Sequence, residues 1–187
     1  IYHGIDGSRF EGAEGTFDRT KWGFSTDSEI VLFVGRFYPS KGADLLIDAF
    51  ERVVKEYDGT VELALVGGGD RTETIRKKIR RQLGERARVL QDLGDDALLE
   101  LYNESRIFAL PSVTETFGIA YLEAMAAETP IVYAHAGSAP EVVGEAGLAT
   151  APRDVDDLAS AILELLVDNP LHTRLQKRGR DRIEEFT

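Results

Sequence analysis

Short runs of apolar residues alternate along the chain with longer stretches in which apolar residues recur every three or four positions. The runs lack polar alternation, and several end at glycine or proline, as Ile30–Val34 does before Gly35 and Ile107–Leu110 before Pro111. Such runs are typical of strands in a parallel sheet that is buried on both faces. The helical stretches between them are long enough to form right-handed crossovers. The pattern therefore predicts an α/β fold with a doubly wound parallel sheet.

The same pattern divides the chain. It predicts strands at 30–34, 61–66, 88–90, 107–110 and 131–133, a further short segment at 147–150, and helices at 43–57, 72–83, 95–102, 118–127, 139–143, 154–167 and 171–185. Residues 1–28 are rich in Gly, Asp, Ser and Thr and have no period, so we predict an interdomain linker and lead-in loop there. Residues 29–187 are predicted to form one Rossmann-like domain. Within it, Pro170 is predicted to end the helix at 154–167. Because the chain starts at Ile1 rather than Met, we expect it to be part of a longer protein.

Composition and charge narrow the kind of ligand. The chain carries 33 acidic and 22 basic residues, a net charge of −11, which disfavours a broad nucleic-acid interface. A phosphate site would have to be built locally, from a few cations and helix N-termini. The chain has no cysteine, which excludes disulfides, thiolate metal sites and a cysteine nucleophile. Its three histidines lack the spacing of a metal site, and we expect His172 to face solvent.

In a doubly wound fold, ligands bind beyond the carboxyl ends of the strands. Two of the loops expected at that edge suit a diphosphate. In the first, Arg36 and Lys41 follow Gly35 and precede a helix, and their side chains could hold two phosphate groups. In the second, Gly67 and Gly68 would let the backbone come close to a ligand. The alternatives are a solvated turn with two surface cations and a flexible glycine turn.

The loop after the predicted strand 107–110 carries two carboxylates around a helix start. Glu115 precedes Gly118, and Glu123 follows eight residues after Glu115 on a helix that is otherwise apolar. Free N–H groups near Gly118 and Ile119 could bind an anion with help from the helix dipole. A carboxylate at Glu123 is costly among apolar neighbours unless partners such as sugar hydroxyls satisfy it. The alternatives are a helix cap at Glu115 and a solvated helix charge at Glu123.

The order and spacing of these motifs resemble the C-terminal domain of retaining glycosyltransferases of the glycosyl transferase group 1 type (family 4, GT-B fold). The resemblance extends from about residue 4 to near the end of the chain, and it rests on Arg36 with Lys41, the turn at Gly67, the pair Glu115 and Glu123, and the segment Ala139–Val143. Two positions depart from the family pattern. Glu128 stands where the helix would usually end in glycine, which should weaken a left-handed cap, and Gly137-Ser138 stands for a usual Gly-Gly.

The resemblance implies a role for each matching residue. Arg36 and Lys41 would grip the diphosphate of the sugar donor, and Glu115 would contact the transferred sugar near its reacting face. Glu123 would bind the ribose hydroxyls. The remaining nucleotide-sugar-binding positions that the resemblance implies are Gly35, Gly67, Gly68, Leu93 against the base, and the backbone of Phe117, Gly118 and Ile119.

The resemblance also implies partners. It implies a nucleoside-diphosphate sugar such as a UDP-sugar as donor, no metal or other cofactor, and no nucleic acid. A sugar or lipid-linked acceptor would bind to an N-terminal domain outside this chain, and the full-length enzyme could associate with a membrane surface in the cytoplasm. Two alternative functions stay open at this point, a non-catalytic sugar-nucleotide sensor and a nucleotide-sugar epimerase of the same architecture.

Overall fold

The computed structural model describes residues 17–186. Its strands are β1 (Glu29–Val34), β2 (Val61–Val66), β3 (Ala87–Leu90), β4 (Ile107–Leu110), β5 (Ile131–Ala134) and β6 (Gly147–Thr150). Its α-helices are α1 (Ala43–Glu56), α2 (Thr72–Gln82), α3 (Asp95–Glu104), α4 (Ile119–Ala126), α5 (Ala139–Val143), α6 (Val155–Val167) and α7 (Asn169–Ile183). None of these helices is long and apolar enough to cross a membrane.

The six strands form one parallel sheet in the order β3-β2-β1-β4-β5-β6. This is the order of the doubly wound Rossmann fold, so the predicted fold class is confirmed. Val31 of β1 pairs with Leu63 of β2 on one side and with Ile107 of β4 on the other. The strand order reverses between β1 and β4, and ligands of such folds bind at that switch point.

The core explains why the strands lack polar alternation. Ile30 through Phe33 of β1 are fully buried, and all six residues of β2 are buried, because helices cover both faces of the sheet. Around β4, the rings of Tyr102, Phe108, Tyr121 and Tyr133 form a chain of contacts with centroid distances of 5.5 to 6.4 Å. This cluster gives the loop after β4 a rigid base.

The predicted end of the helix before Pro170 is confirmed, because α6 ends at Val167. Pro170 itself lies in the first turn of α7, where proline is well tolerated, so α7 begins at Asn169 rather than at residue 171. Asp168 separates the two helices, and its carboxylate accepts the Leu171 N–H at 2.8 Å as the cap of α7. His172 is 7% exposed rather than solvated, and its Nε2 lies 2.8 Å from the carbonyl oxygen of Arg106. A carbonyl only accepts, so Nε2 carries the proton, and burial lowers the pKa of His172.

The end of α4 shows the effect of the departure at Glu128. Glu128 has φ 55°, a left-handed backbone that favours glycine. Arg180 of α7 donates to both oxygens of its carboxylate, with Nε at 2.7 Å from Oε1. This exposed pair ties α7 to the end of α4.

Residues 17–28 contain turns but no helix or strand. Phe17 and Phe24 are buried against the core, and the Ser25 N–H donates to Glu62 of β2 at 2.8 Å. Residues 1–16 lie outside the described part of the chain. The division into a linker at 1–28 and a domain at 29–187 therefore stays a prediction.

Candidate active site at the switch point

The loops after β1 and β4 meet at the switch point. The Val113 N–H donates to the carbonyl oxygen of Ser40 at 2.9 Å. Gly42 packs so closely on Pro111 that a Cβ atom at Gly42 would lie 2.7 Å from the Pro111 oxygen. Because the two loops are joined through their backbones, the side chains they carry keep a defined relative position.

A lysine and a glutamate from these two loops form an ion pair. The Lys41 Nζ donates to Glu115 Oε1 at 2.5 Å, and the side chains are only 21% and 11% exposed. Lys41 belongs to a 3₁₀ turn, Pro39–Lys41, that leads into α1. The structure thus brings together two predicted site residues that lie 74 positions apart in the sequence.

The backbone of Glu115 is also held from the β5 side. The Ser138 N–H donates to the carbonyl oxygen of Glu115 at 3.2 Å. Below the loop, the Tyr121 hydroxyl donates to the carbonyl oxygen of Leu110 at 2.9 Å. Burial and the negative charge of Glu115 raise the pKa of Tyr121 well above its ordinary value, so this hydroxyl stays a donor.

A cavity of about 330 Å³ opens beside Arg36. Gly67, Gly68 and Leu93 line it together with Arg36, so four of the predicted binding residues share one cavity. Gly35 lies directly behind Gly67 in the cavity wall, because a Cβ atom at Gly67 would lie 1.9 Å from the Gly35 carbonyl oxygen. The size is at the lower end of cavities that hold small-molecule ligands.

The Arg36 side chain is exposed at the mouth of this cavity. Its Nη2 donates to the Tyr38 hydroxyl at 3.3 Å, and its guanidinium lies 5.5 Å from the centre of the Tyr38 ring. Among the residues that the structure describes, no carboxylate lies within ion-pair distance of Arg36. Its positive charge is therefore available to an anionic ligand.

The start of α4 follows directly after Glu115. Gly118 is the N-cap residue of α4 and has φ 74°. No side chain caps the N-terminus of this helix. Phe117 is half-buried and packs edge-on against Phe186 at 6.5 Å, whereas Ile119 is 59% exposed. The backbone N–H groups at this helix start are the ones predicted to help hold an anion.

Glu123 lies in the second turn of α4 and is half-buried. Its Oε2 accepts a hydrogen bond from the Tyr102 hydroxyl of α3 at 2.9 Å. The sequence analysis does not identify this contact. The one signal that pointed to it is the apolar surroundings of Glu123, which require a partner for the carboxylate.

Within residues 17–186, no cluster of three or more His, Asp or Glu side chains could hold a metal ion. That the site works without a metal stays a prediction, as do the individual roles of the residues above.

Comparisons with known proteins agree with this architecture. The family model described as "Glycosyl transferases group 1" matches residues 15–182. A D-inositol 3-phosphate glycosyltransferase of Mycobacteroides abscessus is 33% identical over 89% of this chain and 38% of its own length. A GDP-mannose-dependent monoacylated alpha-(1-6)-phosphatidylinositol monomannoside mannosyltransferase of Corynebacterium glutamicum is 31% identical over 97% of this chain and 50% of its own.

A solved structure shows the same fold. The crystal structure of an Anabaena protein in complex with UDP and glucose superposes on all of this chain and on 52% of its own, with a TM-score of 0.85 and 25% identity. The chain spans about two fifths to one half of the length of these relatives. The family match extends over nearly the whole described domain, so the resemblance found in the sequence is confirmed. The chain belongs to the group 1 glycosyltransferases and has the Rossmann-like architecture of a C-terminal GT-B domain.

Proposed function

We propose that this domain binds the nucleoside-diphosphate sugar donor of a retaining glycosyltransferase, which moves the sugar to an acceptor bound elsewhere in the full-length enzyme. The observation that carries the proposal is the Lys41–Glu115 pair at the switch point, together with the cavity that Arg36 lines at the same edge of the sheet. A cation, a carboxylate and a nucleoside-sized cavity at this edge of the sheet are the groups that such a donor requires.

The diphosphate is the leaving group of the reaction, and negative charge builds on it as the bond to the sugar breaks. We expect Arg36 and Lys41 to stabilise that charge in a chain whose net charge of −11 would otherwise repel it. Arg36 offers a planar fork that can contact two phosphate oxygens, and Lys41 offers a compact charge.

Glu115 is proposed to act at the sugar. Positive charge develops on the sugar ring as the diphosphate departs, and a carboxylate close to the ring favours that state. Its contact with Lys41 supports this role, because Lys41 is proposed to bind the phosphates to which the transferred sugar would be attached. We expect the sugar configuration to be retained without a covalent intermediate on the enzyme.

The nucleoside is proposed to lie in the cavity beside Arg36. Gly67 and Gly68 would let the backbone approach the ligand, and Leu93 would contact the base. Glu123 is not among the described residues that line this cavity, and its proposed role is to accept hydrogen bonds from the ribose. The UDP and glucose in the Anabaena structure and the GDP-mannose dependence named for the Corynebacterium relative support a ligand of this class.

The proposal has further parts. The transferred group is a hexose, no metal takes part, and the acceptor is a sugar or a lipid-linked molecule held by an N-terminal domain. The full-length enzyme acts in the cytoplasm, where it could associate with a membrane surface. The domain by itself is expected to bind the donor but to transfer little sugar, because closure over the acceptor needs the other domain.

Calorimetry on this domain with UDP and GDP tests the phosphate site. The variants Arg36→Ala and Lys41→Ala are each expected to weaken binding about tenfold to a hundredfold, the usual contribution of a hydrogen bond to a charged group. Lys77→Ala and Arg80→Ala, which remove exposed cations of α2, are the matched controls and should leave the affinity unchanged. Unchanged affinity in both site variants would contradict the assignment of Arg36 and Lys41.

A turnover assay separates this function from its alternatives. In the full-length enzyme, Glu115→Gln should abolish most of the sugar transfer, whereas a sensor would keep its nucleotide binding and never show transfer. An epimerase would convert the donor sugar in the absence of any acceptor, which product analysis detects. The anomeric configuration of the product, read by NMR, tests retention.

A further inference from the structure

A glutamine in the loop after β3 lines the cavity beside Arg36. Gln91 directly follows Leu90, the last residue of β3, and the Gly67 N–H donates to the Leu90 carbonyl oxygen at 3.2 Å. This bond joins the loop after β2 to the loop after β3. Gln91 and Gly68 therefore lie together in the wall of the cavity of about 330 Å³ in which the nucleoside is proposed to bind.

An arginine from α2 fixes the orientation of the Gln91 amide. The Arg76 Nη2 donates to Gln91 Oε1 at 2.7 Å. Because a guanidinium has N–H donors and no acceptor, the amide oxygen must face Arg76 and the amide nitrogen must point away from it. Arg76 has a second contact, since its Nε lies 3.6 Å from Oε1 of Glu73 in the first turn of α2.

The amide nitrogen of Gln91 lies over the backbone of Gly68. A Cβ atom at Gly68 would lie 2.8 Å from Gln91 Nε2, so the amide fits there because position 68 carries no side chain. Within residues 17–186, this nitrogen has no hydrogen-bond acceptor. A primary amide carries two N–H donors, so the cavity wall offers unused donors at this place.

The other polar side chains of the described cavity wall offer different chemistry. Arg36 is proposed to bind the diphosphate rather than the base. Asp92 is exposed, has a left-handed backbone with φ 56°, and carries a carboxylate that only accepts. The remaining described lining residues are apolar or glycine. Gln91 is therefore the described side chain in this wall that can donate to a neutral base.

We propose that Gln91 is a specificity-determining residue, whose amide donates to a carbonyl oxygen of the base and so makes the site select uracil or guanine over cytosine or adenine. The inference rests on the proposed donor-binding function. Uracil and guanine carry an exocyclic oxygen where cytosine and adenine carry an amino group. An amino group opposite the Gln91 amide would set two donors against each other and leave both unpaired. Arg76 is a positioning residue, because it keeps the amide from turning its own oxygen toward the base.

The test compares nucleotides whose bases carry either an oxygen or an amino group at the same exocyclic position. Calorimetry on the domain would use two pairs, UDP with CDP and GDP with ADP. The readout is the dissociation constant of the amino nucleotide divided by that of its keto counterpart, in the pair whose keto member binds more tightly. This ratio is expected to be roughly five to ten in the unaltered domain, the effect of one hydrogen bond made or left unpaired.

Gln91→Glu reverses the chemistry of the side chain and keeps its shape. The carboxylate can still accept from Arg76 but has no donor for a carbonyl oxygen, so the ratio should fall to about one or below. Gln91→Ala removes the donor and should also bring the ratio toward one. Asp92→Asn is the matched control, because it alters the adjacent residue of the same cavity wall, and it should keep the ratio. A general loss of stability or of phosphate binding would weaken both members of a pair alike.

Arg76→Met tests the positioning. It removes the donor to Gln91 Oε1 but keeps a long side chain, so the amide can present either its nitrogen or its oxygen and the ratio should fall. Lys77→Ala removes the next, exposed cation of α2 and should keep the ratio. In a Gln91→Ala background, Arg76→Met should produce no further change in the ratio. A full ratio in Arg76→Met would overturn the positioning role.

The outcomes distinguish this inference from the proposed function. If the unaltered domain prefers UDP or GDP and Gln91→Glu keeps the full preference, the role of Gln91 is overturned and donor binding stands. If the domain binds both members of each pair equally, the selection by Gln91 is likewise overturned while donor binding stands. If none of the four nucleotides binds, the proposed function fails and this inference with it.

Discussion

Gly67 is the position where the cavity wall tolerates no side chain. It has φ +146°, and a Cβ atom there would lie 1.9 Å from the carbonyl oxygen of Gly35. Real Cβ atoms essentially never come within 3.0 Å of another heavy atom, so Gly67→Ala must displace the backbone by at least about 1 Å. Because Gly35 directly precedes Arg36, that displacement moves the arginine at the mouth of the cavity.

Two costs add in Gly67→Ala. A backbone held in a sparsely populated region costs about 1–3 kcal/mol, and overpacking a tight contact costs about 1–3 kcal/mol more. We therefore expect the free energy of unfolding to fall by about 2–6 kcal/mol, a large part of the stability of an ordinary domain. Nucleotide affinity of the folded fraction should fall at least about tenfold through the shift of Arg36.

Gly84→Ala provides the matched control. Gly84 also has positive φ, at +56°, but a Cβ atom there would meet nothing within 4 Å. The control carries only the backbone cost, about 1–2 kcal/mol, and should leave nucleotide affinity unchanged. Urea unfolding measures both variants, and calorimetry with UDP or GDP measures binding. Equal losses of stability in the two variants would refute the argument that the Gly35–Gly67 approach constrains this wall.

Three further predictions concern charge and backbone conformation. Glu115→Gln frees Lys41 from its partner and removes a negative charge near the phosphates, so UDP affinity of the domain should rise by on the order of fivefold; a lower affinity by calorimetry would contradict this. Glu128→Gly should raise the free energy of unfolding by up to about 1 kcal/mol, because φ 55° suits glycine. The control Arg180→Ala removes only the exposed ion pair and should cost less than about 1 kcal/mol, and no gain in Glu128→Gly by urea unfolding would argue against strain. Burial lowers the pKa of His172, so as the pH falls its imidazole is protonated in the unfolded chain before it is protonated in the folded one. The stability that His172 contributes is therefore complete above its ordinary pKa of 6.5 and is lost as the pH falls below that value. Melting temperatures at several pH values should show this loss, and His172→Gln should flatten it.

The sheet and the loops that carry the site could be predicted because they depend on local signals. Unbroken apolar runs mark strands buried on both faces, and glycine or proline marks their ends. Helix ends were less predictable, since they depend on caps such as Gly118, whose left-handed backbone starts α4 one residue later than expected. Asp168 likewise ends α6 and caps α7. The sequence analysis instead attributed the break between the two helices to Pro170.

Contacts across the chain could not be predicted. Lys41 and Glu115 are 74 residues apart, and their contact follows only from the strand order that places β1 beside β4. The partner of Glu123 and the burial of His172 depend on how helices pack, which the helical period of a single segment does not specify. Only for Glu123 did sequence reasoning identify a group that needs a partner, and it did not identify the partner itself.

Arg36 and Lys41 lie in different environments, so we expect the two cations to contribute differently to the binding of a diphosphate. In this acidic chain, neighbouring cations near the site are already paired, Arg71 with Asp44 and Lys78 with Asp48. Arg36 has only the hydroxyl and ring of Tyr38 as described contacts, so it can attract a diphosphate without first breaking an ion pair. In the proposed function, Lys41 would have to share or leave Glu115, which would cost part of the binding energy, while their ion pair would keep the lysine oriented and the carboxylate near the sugar. The association rate should therefore depend on salt mainly through Arg36, whereas loss of Lys41 should act mainly on dissociation.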